Sequence, residues 1–305
     1  MLAPLLVITG PTAVGKSALA LSLAQKLNGE IVAADSRTLY RGMDIATAKP
    51  APEELLQVRH HLIDIINPDE EFALPDFLEQ AQAVISDIHS RGKLPMLVGG
   101  TVQYINALVE GWQVPRVPPR RGLREQLEQE AAERGSEALY RDLQVLDPEA
   151  AEHINPLNTR RIVRALEVYH TTGQLFSQSQ GKNPPPYRIL KIGLTLEREK
   201  LYARADHRIE VMFEQGLVDE VRRLLAEGYA PTLPAMSSVG YQQVIAYLNG
   251  EMTLEEAQER MRFTTHRYIR QQYTWFRRDP AIHWLQANEP ELEQKALALV
   301  REYLV

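Results

Sequence analysis

The apolar run LLVIT feeds directly into GPTAVGKS at residues 10–17, and the apolar-periodic stretch SALALSLAQKL follows at once. This order of strand, glycine turn and helix start is what the pattern G-x-x-x-x-G-K-[ST] needs to cradle phosphate oxygens. It commits the N-terminal part of the chain to a parallel α/β unit. The loop Gly10, Pro11, Thr12, Ala13, Val14, Gly15, Lys16 and Ser17 then forms the cradle. Gly10 and Gly15 let backbone N–H groups converge, Lys16 adds a positive charge, and Ser17 opens the helix and can ligate Mg²⁺. The pattern leaves the ligand open, since any pyrophosphate-bearing molecule fits it.

Strand-like and helical patterns keep alternating over the first 110 or so residues, as a parallel sheet requires. EIVAAD reads as a second strand, HHLIDII as a third and LPMLVGG as a fourth; helices are expected over Pro75–His89 and Thr101–Glu110. The proline- and arginine-rich VPRVPPRRGLR (114–124) and the later GKNPPPY (181–187) bracket a charged helical stretch without a convincing strand. RILKIGLTL then returns to strand character, and helices follow, interrupted by IHWLQ. The expected architecture is a P-loop-like parallel-sheet core over 1–112 and 186–305, with a helical insertion domain over 113–185.

Bulk composition narrows the function classes. The chain has no cysteine, which excludes a disulfide framework or thiolate metal site, and no apolar run long enough to span a bilayer. A cytoplasmic, monomeric protein is expected. The net charge of −6 argues against nonspecific coating of nucleic acid but permits a local basic face. Two basic groups stand out. Arg160, Arg161 and Arg164 lie within about one helical turn. Further on, RMRFTTHRYIRQQYTWFRR (260–278) interleaves arginines with five aromatic residues. Basic side chains neutralise phosphates and aromatic faces stack unpaired bases, although part of this run must also pack in the core.

Asp35 ends the second strand, at the edge where α/β sheets place their chemistry. It can serve as general base, Mg²⁺ ligand or helix N-cap. Asp64 is an alternative metal-binding acid or an ordinary strand-end residue. Thr101, closing LVGGT, can donate to a phosphate or cap a helix. That strand end carries no acid, which counts against a nucleotide-hydrolysing motor.

Taken in order, GPTAVGKS, ADSR, YRGMDIATAKP, LVGGT, NTRRIVRALEVY, GLVDEVRRL, VGYQQ and QQYTWFRR closely resemble the motifs of the tRNA dimethylallyltransferase (tRNA isopentenyltransferase) family. The resemblance spans essentially the whole chain. It implies transfer of a dimethylallyl group from dimethylallyl diphosphate to N6 of the adenine immediately 3′ of the anticodon in tRNA, with Mg²⁺ assisting and pyrophosphate leaving. It further implies that the P-loop holds the donor's diphosphate, Asp35 is the base and Thr101 contacts the reacting region. Arg208 and Arg222 become candidate diphosphate partners. The anticodon stem-loop would meet Asp35, Ser36, Arg37 and Thr38, then Arg160, Arg161, Ile162, Val163 and Arg164, then Arg270, Gln271, Trp275 and Arg277. The chain departs from the family at Thr38, where glutamine is usual, and at Met212, Ser237 and Gln242, where arginines are common. A P-loop small-molecule kinase, an adenylate prenyltransferase and a nucleic-acid-binding ATPase are the alternative readings.

Overall fold

A computed structural model describes residues 2–117, 120–179 and 181–304. Pro118 and Pro119 of the first proline-rich linker, and the ends of the expected domain ranges at Met1 and Val305, lie outside the described residues. Residues up to Val109 and from Pro186 onward form one compact unit, and Glu110–Pro185 form a second.

In the first unit, β1 (Ala3–Thr9), α1 (Lys16–Leu27), β2 (Gly29–Ala34), α2 (Pro52–Gln57), β3 (His60–His61), α3 (Leu74–Ser90), β4 (Leu94–Gly99) and α4 (Val102–Glu110) come first. The second unit carries β5 (Trp112–Gln113), α5 (Arg121–Arg134), α6 (Ser136–Leu146), α7 (Pro148–His153), α8 (Thr159–Thr172) and β6 (Gly181–Lys182). The chain then returns to the first unit with β7 (Tyr187–Thr195), α9 (Arg198–Glu214), α10 (Leu217–Ala226), α11 (Tyr241–Leu248), α12 (Leu254–Phe276), β8 (Ile282–Gln286) and α13 (Leu292–Leu304).

The central sheet has six strands in the order β3-β2-β4-β1-β7-β8, and each described pairing is parallel. β1 is largely apolar on both faces and β2 is buried throughout, because helices cover both faces of the sheet. Leu6, Ile8, Ile31, Met96 and Ile192 project from the strands into a core shared with Leu19 and Leu23 of α1 and Val300 of α13. Because all strands run the same way, the ends of β1, β2 and β4 bring the P-loop, Asp35 and Thr101 to one sheet edge.

The expected strand HHLIDII is a correction. Only His60 and His61 form a strand there, with Ile66 making an isolated bridge to Tyr40, because Leu62 and Asp64 adopt left-handed backbone (φ 62° and 54°), which interrupts the extended run. Asp64 is therefore in a loop, and its carboxylate is held by Lys49.

The second unit has its own core, with Leu127, Leu139, Leu143, Ile154, Ile162 and Leu166 packed together. Within it Glu167 is fully buried and accepts from Arg124 (2.7 Å), Arg164 (2.8 Å) and the Arg120 backbone N–H (3.1 Å).

Candidate active site

The cradle begins where β1 stops. Gly10 takes φ +139°, and a Cβ there would stand 2.6 Å from the Leu194 carbonyl oxygen, so only glycine lets the loop leave the sheet at this point. Gly15 precedes α1 at φ +106°, another conformation that side chains resist. The α1 N-terminus consequently presents free N–H groups and positive dipole toward the loop. Lys16 donates to the Pro11 carbonyl at 2.7 Å. Its ammonium is lowered to about 8, first by burial, with Arg208 adding to the shift and Asp35 opposing it.

A cavity of about 410 Å³ opens against this loop. Thr12, Lys16, Ser17, Asp35, Thr38 and Arg208 contribute to its polar lining, with Thr47, Glu54 and His60 also on the wall, and Ile31, Ala33, Ala48 and Val98 supply apolar wall. Thus cationic groups, a carboxylate and an apolar surface share one chamber. Arg208 reaches in from α9 and donates to the Thr12 hydroxyl at 2.6 Å. Burial lowers its pKa, and the Asp35 charge partly offsets that. Two buried polar atoms of the lining, Thr38 Oγ1 and Arg208 Nε, have no hydrogen-bond partner. Each such atom costs about 1–3 kcal/mol, so the chamber is built for a polar guest.

Asp35 is no helix cap. Its Oδ1 accepts from the Arg37 N–H at 2.8 Å, a tight Asx turn that fixes the carboxylate on the chamber wall. Thr101 Oγ1 accepts from the Ser36 N–H at 3.1 Å, and the Thr101 N–H donates to the Ala34 carbonyl at 3.2 Å. The threonine therefore ties the β4 end to the β2 end, and its carbonyl accepts from the Tyr104 N–H at the start of α4. Tyr268 and Tyr104 both feel the Asp35 charge. Burial and then that charge raise the Tyr268 phenol to about 12, while burial, Tyr40 and Asp35 raise Tyr104 further.

The loop after Tyr40 walls the chamber through Thr47, Ala48 and Pro50. Glu220 holds it, accepting from the N–H groups of Asp44 (3.0 Å) and Ile45 (3.1 Å) and from the Tyr241 hydroxyl (2.6 Å). This buried carboxylate escaped sequence reasoning, yet it left a signal. It occupies the apolar stripe of α10 beside Leu217, Val221 and Leu224. Gln272 escaped for the same reason. It lies on the buried stripe of α12 with Thr265, Ile269 and Phe276.

The surface residues divide. On α12, Arg270, Gln271 and Trp275 are exposed, as are Phe263 and, just past the helix, Arg277. Phe276 packs inside, and the Tyr273 hydroxyl bonds at the end of β7, near Thr195 and Leu196. Arg277 lies over the Tyr273 ring at 4.8 Å and Arg278 over Trp275 at 5.1 Å. Arg37 donates to the Pro234 carbonyl at 2.9 Å and to the Ser237 hydroxyl at 3.5 Å. Serine at 237 accepts from this guanidinium, whereas an arginine there would confront it with like charge. Gln242 is exposed and Met212 is buried in the core.

Three expectations are corrected. Arg222 pairs with Asp219 at 2.6 Å on the exposed face of α10 and does not line the chamber. Ile162 and Val163 are buried in the second unit's core, so their side chains cannot face RNA. Arg164 is committed to Glu167 and the Val117 carbonyl, which leaves Arg160 and Arg161 as the exposed arginines of that group.

Among the described residues, no group of three or more His, Cys, Asp or Glu side chains forms a metal cage, and no helix is long and apolar enough to cross a membrane. A family model described as IPP transferase matches residues 38–279. The tRNA dimethylallyltransferase of Roseiflexus castenholzii is 54% identical over 299 residues, 98% of this chain and 98% of that protein. That of Thermomicrobium roseum is 49% identical over 94% of this chain and 87% of its own length. The crystal structure of the full-length tRNA isopentenylpyrophosphate transferase of Bacillus halodurans is similar with a TM-score of 0.73 at 38% identity, covering 98% of this chain and 97% of that one. A structure of a eukaryotic dimethylallyltransferase acting on tRNA gives a TM-score of 0.84 at 28% identity, over 99% of this chain and 79% of that one.

Proposed function

The chain belongs to the IPP transferase family and is a prenyltransferase of tRNA, and from that premise we propose how its chamber carries out the transfer. The donor is dimethylallyl diphosphate. Its diphosphate lies on the P-loop under Lys16 and Arg208, and its five-carbon group lies against the apolar wall. The acceptor is N6 of the adenine immediately 3′ of the anticodon, turned out of its stack to enter the chamber.

As the N6 lone pair attacks the allylic carbon, the carbon–oxygen bond breaks and its electron pair leaves with the diphosphate. The N6 proton passes to the Asp35 carboxylate. Charge grows on the leaving group as the bond breaks, so Lys16, Arg208 and the P-loop amides favour the transition state over the bound donor. An adenine amine is a weak nucleophile, and holding it in line contributes as much as basicity does. The Thr101 hydroxyl still has its proton to donate toward the reacting region.

Mg²⁺ fits the donor set, because this ion is usually bound by few protein oxygens together with substrate phosphates, and Ser17, exposed at the α1 start in the chamber lining, would hold it. Bound there, the ion would neutralise the diphosphate charge. Arg270, Gln271 and Trp275 of α12, with Arg277 just past it, would engage the anticodon stem-loop, as would the turn over Asp35, Ser36 and Arg37, and Arg160 and Arg161 of the second unit.

The observation that carries this reading is the shared chamber: the Asp35 carboxylate shares it with two half-buried cations, Lys16 and Arg208, and an apolar wall. Incubation with labelled dimethylallyl diphosphate, Mg²⁺ and undermodified tRNA should yield labelled adenosine on digestion. Label in AMP instead, or ATP turnover without any transfer, would overturn it.

A further inference from the structure

Gln272 is buried within α12 and uses both ends of its amide. Its Oε1 accepts from the Thr12 N–H at 2.9 Å, and its Nε2 donates to the Gly100 carbonyl at 2.9 Å. The orientation follows from the partners, since the loop offers a donor and the turn offers an acceptor. Glutamate would meet the carbonyl without a proton, and an apolar side chain would leave both groups unsatisfied.

The two partners belong to different parts of the chamber. Thr12 is a P-loop residue, and its hydroxyl accepts from Arg208 at 2.6 Å. Gly100 immediately precedes Thr101, which anchors the turn after Asp35 through the Ser36 N–H. Next to Gln272 in sequence, Gln271 is exposed on the same helix. A single side chain therefore joins the phosphate loop, the Gly100–Thr101 turn and the helix assigned above to RNA.

We propose that Gln272 is a positioning residue that holds the P-loop and the Gly100–Thr101 turn in register, so that leaving group and acceptor amine meet in line. This rests on the reading that the P-loop holds the donor's diphosphate. The contact with Gly100 provides a specific test. A Cβ at position 100 would lie 2.5 Å from Gln272 Nε2, whereas its next neighbours, the Gly10 carbonyl oxygen and Lys16 Nζ, are 3.6 and 3.7 Å away. Harm from Gly100→Ala should therefore depend on Gln272 being present.

The experiment measures prenyl transfer to undermodified tRNA, tRNA binding and melting temperature for wild type, Gln272→Met, Gln272→Ala, Gly100→Ala and the double variant Gly100→Ala/Gln272→Ala. Methionine keeps the volume and removes both hydrogen bonds. We expect Gln272→Met to lower kcat by about tenfold or more, the scale at which misplaced reacting groups cost rate, while tRNA Kd stays within about twofold. Gly100→Ala should lose a similar factor, and the double variant should be no worse than Gly100→Ala alone. Wild-type kcat in Gln272→Met, or multiplicative losses in the double variant, would overturn the proposal. Rate losses that track melting temperature alone would do the same. A wild type that transfers no label would instead refute the functional reading beneath it.

Discussion

Lys16 carries the most quantitative prediction, because its charge is needed for the donor yet disfavoured in the free protein. Burial takes its ammonium from 10.5 to about 8, with Arg208 contributing and Asp35 opposing. That drop corresponds to roughly 3 kcal/mol against the charged amine. Only the ammonium attracts a diphosphate, so raising the pH from about 7 to about 9 should lower kcat/KM for dimethylallyl diphosphate roughly tenfold, with a midpoint near the free-enzyme value. A bound diphosphate favours the charged form, so the fall in kcat should begin at higher pH than the fall in kcat/KM. The assay is initial-rate transfer at saturating tRNA across this range, with tRNA binding followed in parallel. Guanidinium does not titrate here, so any residual activity of Lys16→Arg should lack the alkaline fall. The stability sign is opposite. The unfolded chain holds this proton up to about pH 10.5 and the folded chain releases it near 8, so the Lys16 cost to stability is full below 8 and is relieved as pH rises. A flat kcat/KM to about pH 9.5 would refute the reasoning. So would an alkaline fall retained by Lys16→Arg.

Other consequences can be measured directly. Asp35→Asn keeps an oxygen for the Arg37 N–H but cannot take a proton, so transfer should fall by about 10²–10⁴-fold with tRNA binding preserved, as read by single-turnover rates and filter binding. Trp275→Ala should weaken tRNA binding by about 1–3 kcal/mol if the exposed ring stacks on a base. Arg270→Ala and Arg277→Ala should each flatten the salt dependence of that binding by about one unit of slope, in titrations at several ionic strengths. Glu30 is buried and accepts from Arg91 (2.7 Å), Lys93 (2.8 Å) and His61 (2.8 Å), with Arg91 foremost in holding its carboxyl far below the usual range. Its contribution to stability is complete above about pH 5 and is lost as acidification approaches its folded-state pKa. Glu30→Gln should cost about 3 kcal/mol in denaturant melts near neutral pH and narrow the difference from wild type in acid.

Much of this protein could be read along the chain. The strand–GPTAVGKS–helix sequence already determines a phosphate cradle, because backbone conformation at Gly10 and Gly15 and the position of Lys16 are set within a few residues. The same holds for Asp35 at the end of an apolar strand, since parallel strands with helical crossovers carry their chemistry to one edge. The exposed arginines and aromatics of α12 were visible as composition, although which aromatics point outward was not. Tertiary structure alone decided the partners. Arg208 enters the chamber while Arg222 does not, because Arg208 reaches from α9 to Thr12 of the P-loop and Arg222 pairs with Asp219 on the exposed face of α10. Ile162 and Val163 share a motif with exposed arginines but lie on the buried face of the same helix. Glu220 and Gln272 sit on apolar stripes where a polar side chain signals an unseen partner, yet the partners are 175 and 260 residues away in sequence. Short-range spacing encodes a loop's conformation and a helix's faces. Which distant backbone N–H meets a buried carboxylate or amide is set only when the sheet order brings those segments together.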